Sequence, residues 1–462
     1  MEAILGLFRE AVAEENGHKL AQAITPVAPP DDAGRLYAFH RALNVHNIQA
    51  DLRNEIIYKN SVRLARTETN AWIEVFTCYW RAIGELLAVD GAMNQGKRVD
   101  WKKVYEAWKE LLNALQRGYT SNQFEAWTIP CLYTSGKYLR NFALKADEQA
   151  RSVEGNVTYN QGLQDDVVST LGKNENLQDA ARQINRIFGL CLSDRSALEE
   201  SRKWGVYYVT NLLFKIYFKL NSISLCKNLL RSIAVSSSDM PPLDAFPKAH
   251  QVTFNYYSGV LFFLEEDYKK AENFLNEAWS SCHKDARKNR ELILTYLIPC
   301  RFVTSHKLPS PALLALYPRL ECLFGTMVRS IKRADLAGFD AALSAGEPEF
   351  VKRRIYLTLE RGRDIVLRNL LRKVFLVGGF DPLKEGQTEA DAVRRTRIPV
   401  AEFAAAMRLS LGQNNGEVLD DDEVECMIAN MIYKGSMKGY ISRERRMVVL
   451  SKGASAFPGT SL

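Results

Sequence analysis

The chain has 462 residues, of which 47% are hydrophobic and 25% charged. That is the composition of a globular protein with apolar material for a large core or several packed units. It contains no run of about 18 apolar residues, which excludes a membrane-spanning helix, and its net charge of +7 is too small to define a function class unless it is concentrated.

The start, MEAILGLFREAVAEENGHKLAQAI, lacks the basic-then-apolar order of a signal peptide and reads as an amphipathic helix. Further amphipathic helices follow to about residue 146. In NAWIEVFTCYWRAIGELLAV, Trp72, Phe76, Tyr79, Trp80, Ile83 and Leu87 recur at three- and four-residue steps. WKKVYEAWKELLNAL repeats the habit with Trp101, Val104, Trp108, Leu111, Leu112 and Leu115. Aromatic stripes at this spacing are expected to be helix-packing core and not a ligand box. Eight cysteines, at 78, 131, 191, 226, 282, 300, 322 and 426, include no CxxC pair. Most lie in apolar helical stretches, which predicts reduced, buried thiols in a cytosolic or nuclear protein. The Asn156-Val157-Thr158 glycosylation signal is then a chance match.

Residues 147–178 lose the helical period, turn polar and carry three glycines, which predicts a loop or insertion. Helical periodicity resumes for 179–350. Within YYSGVLFFLEEDYKKAENFLNEAW, Gly259, Phe262, Tyr268, Ala271, Leu275 and Ala278 fall where a tetratricopeptide-like helix pair places its small and large packing residues. SISLCKNLLRSI offers Ile223, Cys226 and Leu230 at matching offsets upstream. The expectation is a degenerate α-solenoid, an architecture that builds surfaces for protein partners.

The last hundred residues differ in pattern. Residues 351–452 hold 19 Lys/Arg against 14 Asp/Glu, so most of the excess positive charge sits there. RDIVLRNLLRKVFL predicts a helix ending at Gly378-Gly379, and IPVAEFAAAMRLSL another, with Pro399 in its first turn. A third begins after Asp420, Asp421 and Asp422, with Val424, Met427, Ile428, Met431 and Ile432 on one face. GYIS and MVVLS then flank the turn RERR as two antiparallel strands. Three helices and a two-stranded wing make a winged helix at 351–452, followed by a flexible tail at 453–462. The fold class expected is mainly α: a solenoid of TPR-like helix pairs ending in a winged helix with a small β-hairpin.

This arrangement, and the run EVECMIANMIYKGSMKGYIS…MVVLSK…FP, resembles the PCI family. The resemblance is narrower to the branch that holds the PCI subunit of the nuclear transcription-and-export complex two and the signalosome subunit-twelve-like proteins. GHKLAQAITPVAPP looks most like the subunit-twelve-like members. The resemblance implies a non-catalytic nuclear subunit, present also in the cytoplasm, that pairs winged helix to winged helix with a second PCI-domain protein. It also implies a small acidic disordered peptide held between solenoid and wing, and a joint role in messenger RNA splicing, export or transcription-coupled processing with RNA or DNA bound.

Signatures of catalysis are missing. The histidines His18, His40, His46, His250, His283 and His306 form no HExxH, HxH or HxxxH pattern for zinc. GAMNQGKR, residues 91–98, is a near miss to a phosphate loop, without its Ser/Thr and behind a helical pattern. No cofactor is expected. What remains is electrostatic. Candidate phosphate contacts are Lys434 and Lys438 at the turn, and Arg443, Arg445, Arg446 and Lys452 on the wing. Arg368, Arg372 and Lys373 on the first helix and Arg394, Arg395 and Arg397 on the connecting loop complete the set. Such cations neutralise phosphates without reading sequence. The alternative for each is a solvated face or an acidic protein partner. The acidic start of the third helix would repel the groove contact of a sequence-specific factor. Met447, Val448, Val449 and Leu450 cannot all face one side of a strand, so they are candidates for docking a partner, including an added strand, or for a closed wing–helix core. The rival function is a purely structural assembly subunit of signalosome type with no nucleic-acid contact.

Overall fold

The computed structural model of the protein describes residues 2–43, 46–59, 62, 64–121, 123–154, 174–381, 394–412, 419–452 and 456–458. They are helical almost throughout, with one three-stranded sheet near the C-terminus. The chain divides into two compact units, Met1–Phe254 and Asn255–Leu462.

In the first unit the helices Arg66–Asn94, Trp101–Thr120 and Pro130–Glu154 pack side by side. The aromatic stripes are their seam: Trp72, Phe76, Tyr79 and Trp108 are buried. Phe8 meets Phe76 edge-on at 5.0 Å between centroids, and Tyr79 meets Trp108 at 6.3 Å. Edge-to-face contacts of this kind suit the ring quadrupoles. The polar ends are satisfied as well: Trp108 Nε1–H donates to the Ser135 carbonyl at 2.9 Å, and the Tyr79 hydroxyl to that of Thr25 at 2.8 Å. Among the described cysteines six are buried, Cys322 and Cys426 are exposed, and all are free thiols.

The polar stretch expected as a loop at 147–178 is helical at both ends, through Glu154 and again from Glu175; residues 155–173 lie outside the described residues. Asp147 explains why polarity misleads there. Its buried carboxylate accepts from the backbone N–H of Asn176 (3.1 Å) and Leu177 (3.0 Å), so it serves the first turn of the helix Glu175–Leu192 from a different segment.

In the second unit the helix pair predicted at Gly259 forms. A side-chain carbon at Gly259 would lie 2.7 Å from Leu275 Cγ, so only glycine admits this approach. Ala271, Leu275 and Ala278 are buried beneath it, and Phe262 stacks on Phe274 at 5.4 Å. Asp267 begins the second helix by accepting from Lys270 N at 3.2 Å. In the upstream match Cys226 is buried as expected, but Leu229 rather than Leu230 takes the inward position.

The C-terminal part is a winged helix: helix Arg363–Val377, strand β1 Arg397–Pro399, helices Val400–Leu411 and Asp421–Tyr433, then strands β2 Gly439–Ser442 and β3 Met447–Leu450. A capping box starts the third helix, with Glu423 reaching back to Asp420 N at 3.1 Å. Gly435, at φ +69°, ends it. The sheet order is β1-β3-β2, antiparallel throughout, so the hairpin expected from sequence has a third strand. Pro399 is correspondingly the last residue of β1 and caps the following helix instead of occupying its first turn.

The inner sheet face, with Ile398, Val448 and Leu450, closes over Phe403, Met407, Val424, Ile428 and Met431, all buried. The expected flexible tail is also partly core: Ala456 and Phe457 are buried, and the Phe457 ring lies 5.8 Å from that of Phe375. Burying a phenylalanine is worth about 2 kcal/mol, enough to order a short segment.

Candidate nucleic-acid interface

Strand alternation decides which side chains the wing can offer. Cross-strand partners share a face. In the registered rows Arg397–Val449–Tyr440 and Pro399–Met447–Ser442 the side chains point outward, while Ile398 and Val448 turn into the core. Lys438 continues the outward line of β2: its carbonyl accepts from Ser451 N at 3.0 Å, and it stands two residues before Tyr440.

This geometry corrects two expectations for Met447–Leu450. β3 is the central strand, hydrogen-bonded on one side to β1 and on the other to β2, so no edge is open there for an added strand. Val448 and Leu450 are core residues, whereas Met447 and Val449 are half-buried on the outer face and remain available for contact. The third strand escaped the sequence because Arg397–Pro399 is only three residues long and ends in proline, too short for an alternation signal.

The twelve candidate cations separate by environment. Arg368 is 3% exposed, donates to the Pro458 carbonyl, and leaves Nε without a hydrogen-bond partner. Burial and the neighbouring Arg372 lower its pKa. It therefore holds the tail and cannot reach phosphate, which corrects its assignment to the interface. Arg372 is half-buried on the same helix. Lys373 is exposed, but its Nζ donates to the Arg333 carbonyl at 2.7 Å.

Lys434 pairs with Asp364 at 2.6 Å, tying the end of the third helix to the start of the first. Arg394 donates to the Leu376 carbonyl at 3.0 Å and lies over the Phe380 ring at 4.7 Å. Arg395 pairs with Glu402 at 3.1 Å. These three are partly committed to the domain's own structure.

At the wing tip Arg443 and Arg446 lean toward the acidic helix start, 3.9 Å from Glu425 and 4.0 Å from Asp421. Both side chains are about four-fifths exposed, 81% and 79%, and pairs so wet contribute little. Arg446 also takes a left-handed backbone, φ +51°, and its carbonyl accepts from Val400 N at 3.0 Å, which fixes the tip to the second helix. Arg397, Lys438 and Arg445 are exposed and make no ion pair among the described residues. Lys452 is exposed at the end of the sheet.

The segments 394–399 and 434–452 together hold nine Lys/Arg and one Asp/Glu, and four of the nine, Arg395, Lys434, Arg443 and Arg446, lie within 4.0 Å of carboxylates from neighbouring helices. Two exposed tyrosines accompany them, Tyr440 on β2 and Tyr433 at the end of the third helix, and sequence reasoning missed both as site residues. The alternation in KGYIS, which puts Lys438 and Tyr440 on one side, was the available signal. Among the described residues no group of histidine, cysteine and carboxylate side chains is arranged to hold a metal, and no helix is long and apolar enough to cross a membrane.

Comparison with known proteins agrees with this architecture. The family model described as PCI domain matches residues 346–452, the helices and sheet just described. Over nearly the whole length the chain is 56% identical to a protein named CSN12 homolog from Gibberella zeae, covering 98% of each. It is 55% identical to a protein of the same name from Neurospora crassa, covering 100% of each. PCI domain-containing protein 2 of Xenopus laevis is 33% identical over 80% of this chain and 82% of that protein. The chain therefore belongs to the PCI family of scaffold proteins, in the branch of the CSN12 homologues and PCI domain-containing protein 2.

Proposed function

We propose that this protein is a non-catalytic scaffold subunit of a nuclear heterocomplex acting in messenger RNA biogenesis, through transcription-coupled processing, splicing or export. Its winged helix pairs with that of a second PCI-domain protein, a small acidic disordered peptide binds the same subunit, and the complex engages RNA or DNA through its basic wing. The observation that carries this reading is charge placement: the segments 394–399 and 434–452 hold nine Lys/Arg and one Asp/Glu, and of these Arg397, Lys438 and Arg445 are exposed and without an ion pair among the described residues. Cations in that state gain most from phosphate, because binding releases counterions and breaks no internal pair. Asp421, Asp422 and Glu423 in the first turn of the third helix oppose insertion of that helix into a groove. Contact is thus expected to be with the backbone and weak in sequence preference.

The test is replacement of Arg443, Arg445 and Arg446 by Glu in the intact complex, with nucleic-acid affinity measured across salt. The expected result is a weaker complex whose log–log salt slope falls by about two to three. Unchanged affinity and slope would remove the wing from the interface.

The proximity of Arg443 to Glu425 and of Arg446 to Asp421 favours a second reading, in which the wing tip is internally compensated and the protein is a purely structural assembly subunit of signalosome type. In that case the purified complex is retained no better on heparin or single-stranded RNA than a neutral protein of its size.

A further inference from the structure

We infer that the outer face of the three-stranded sheet is a seat for single-stranded nucleic acid, with Tyr440 stacking on a base and Arg397 and Lys438 holding the flanking phosphates. The inference rests on the nucleic-acid reading above and adds to it the strand state of the ligand and the residue that recognises it.

Three observations carry it. The first is register. Arg397, Val449 and Tyr440 form one outward row across β1, β3 and β2, so Arg397 and Tyr440 stand two strand spacings apart, about 10 Å. Lys438 stands two residues before Tyr440, at the start of β2 and on the same side, and its backbone is fixed by bonds to Ser451 and Ala456. The face thus presents an aromatic ring with one long cationic side chain across the sheet from it and another beside it along the strand, on a floor of half-buried Met447 and Val449.

The second is exposure. Tyr440 is 63% exposed, on an edge strand with Val449 as its one cross-strand partner. A tyrosine left standing on a rigid strand loses little conformational freedom when it stacks. The third is charge. β1, β2 and β3 carry no Asp or Glu, so a phosphodiester chain laid across the strands meets no carboxylate of theirs.

Strand state follows from what the ring can reach. In a duplex the base faces are buried in the stack, and an aromatic side chain finds only the backbone. A single strand exposes its base faces, and base–aromatic stacking is largely tolerant of base identity. Apart from Tyr440, contact here is by charge, which does not by itself distinguish the two states.

The experiment uses the full-length protein and fluorescein-labelled oligouridylate and a matched RNA duplex, with binding followed by anisotropy across salt. Single strands are expected to bind more tightly than duplex. Tyr440→Ala is expected to weaken single-strand binding about tenfold, the scale of one base–aromatic stack, with the salt slope unchanged. Tyr440→Phe keeps the ring and should keep the affinity. The double replacement Arg397→Glu with Lys438→Glu is expected to lower both affinity and salt slope. Thermal melting of each variant separates loss of fold from loss of contact.

Single-strand affinity unaffected by Tyr440→Ala, or equal affinity for duplex, overturns the stacking seat while leaving backbone binding by the wing intact. Variants that bind RNA normally but lose a co-purifying protein would show the face to be a protein interface, and would overturn it also. No binding of either nucleic acid by the native protein or its complex removes both this inference and the reading on which it rests.

Discussion

Lys434 Nζ lies 2.6 Å from Asp364 Oδ2, so the cation at the end of the third helix of the winged domain is held by the first turn of its first helix. Sequence places Lys434 beside Lys438 as one basic turn, yet the structure gives them different work. Exposed pairs of this kind contribute about 0.2–1 kcal/mol. Lys434→Ala is expected to lower stability by less than about 1 kcal/mol and to leave nucleic-acid affinity nearly unchanged. Lys438→Ala should do the reverse. Paired urea denaturation and anisotropy titrations of the two variants check this; a loss of affinity in Lys434→Ala matching that in Lys438→Ala would contradict it.

Arg368 is a structural arginine. It is buried against the tail and donates to the Pro458 carbonyl, so its removal leaves a buried acceptor unpaired. Arg368→Met keeps most of the volume and is expected to cost about 1–3 kcal/mol, with no change in the salt dependence of nucleic-acid binding. Phe457→Ala, which empties the pocket beside Phe375, should cost about 3–5 kcal/mol. Chemical denaturation measures both, and a stable Phe457→Ala variant would show the tail to be dispensable to the domain.

His250 supplies a pH dependence of known sign. It packs against the rings of Tyr208 (4.3 Å) and Tyr133 (5.0 Å), takes a long contact from Asn211 Nδ2 (3.5 Å), and has Lys215 as its charged neighbour. Burial first, and Lys215 second, lower its pKa from 6.5 to about 4. The unfolded chain therefore binds a proton before the folded one does as pH falls. The contribution is complete above pH 6.5 and is lost progressively toward pH 4, by up to about 3 kcal/mol. Comparing His250→Gln with the native protein between pH 7.5 and 4.5 by urea denaturation should show a flatter acid limb in the variant. Parallel curves would contradict this.

Gly259 is a steric test of the helix pair. Its missing side chain admits Leu275 at a distance no Cβ tolerates. Gly259→Val should cost about 1–3 kcal/mol by overpacking, despite removing a glycine from a helix interior. A melting temperature equal to that of the native protein would mean the two helices can part without loss.

Much of this architecture was legible because it rests on periodicity. Trp72, Phe76, Tyr79 and Trp108 lie in the buried seam that their spacing predicts, and Gly259, Ala271 and Leu275 mark a close helix pair. The winged helix was legible from its order of helices and strands, and from the acids before Val424. What remained hidden depends on contacts between distant segments. Asp147 serves a helix start 29 and 30 residues away, β1 is defined only by its pairing with β3, and Phe457 is core only because Phe375 is beside it. The same holds for the site. Charge count identified the basic region, but composition could not show that Arg368 is buried, that Lys434 and Arg395 are paired, or that Val448 and Val449 face opposite ways.

The central claim is that the protein meets nucleic acid on the outer strands and wing of its terminal domain. Ultraviolet cross-linking of the native complex to RNA, followed by peptide mass spectrometry, tests it most directly. The account predicts cross-linked nucleotides on peptides spanning 394–399 and 434–452, with Tyr440 among the modified residues. Cross-links confined to other segments of this chain, or to its partners alone, would contradict it.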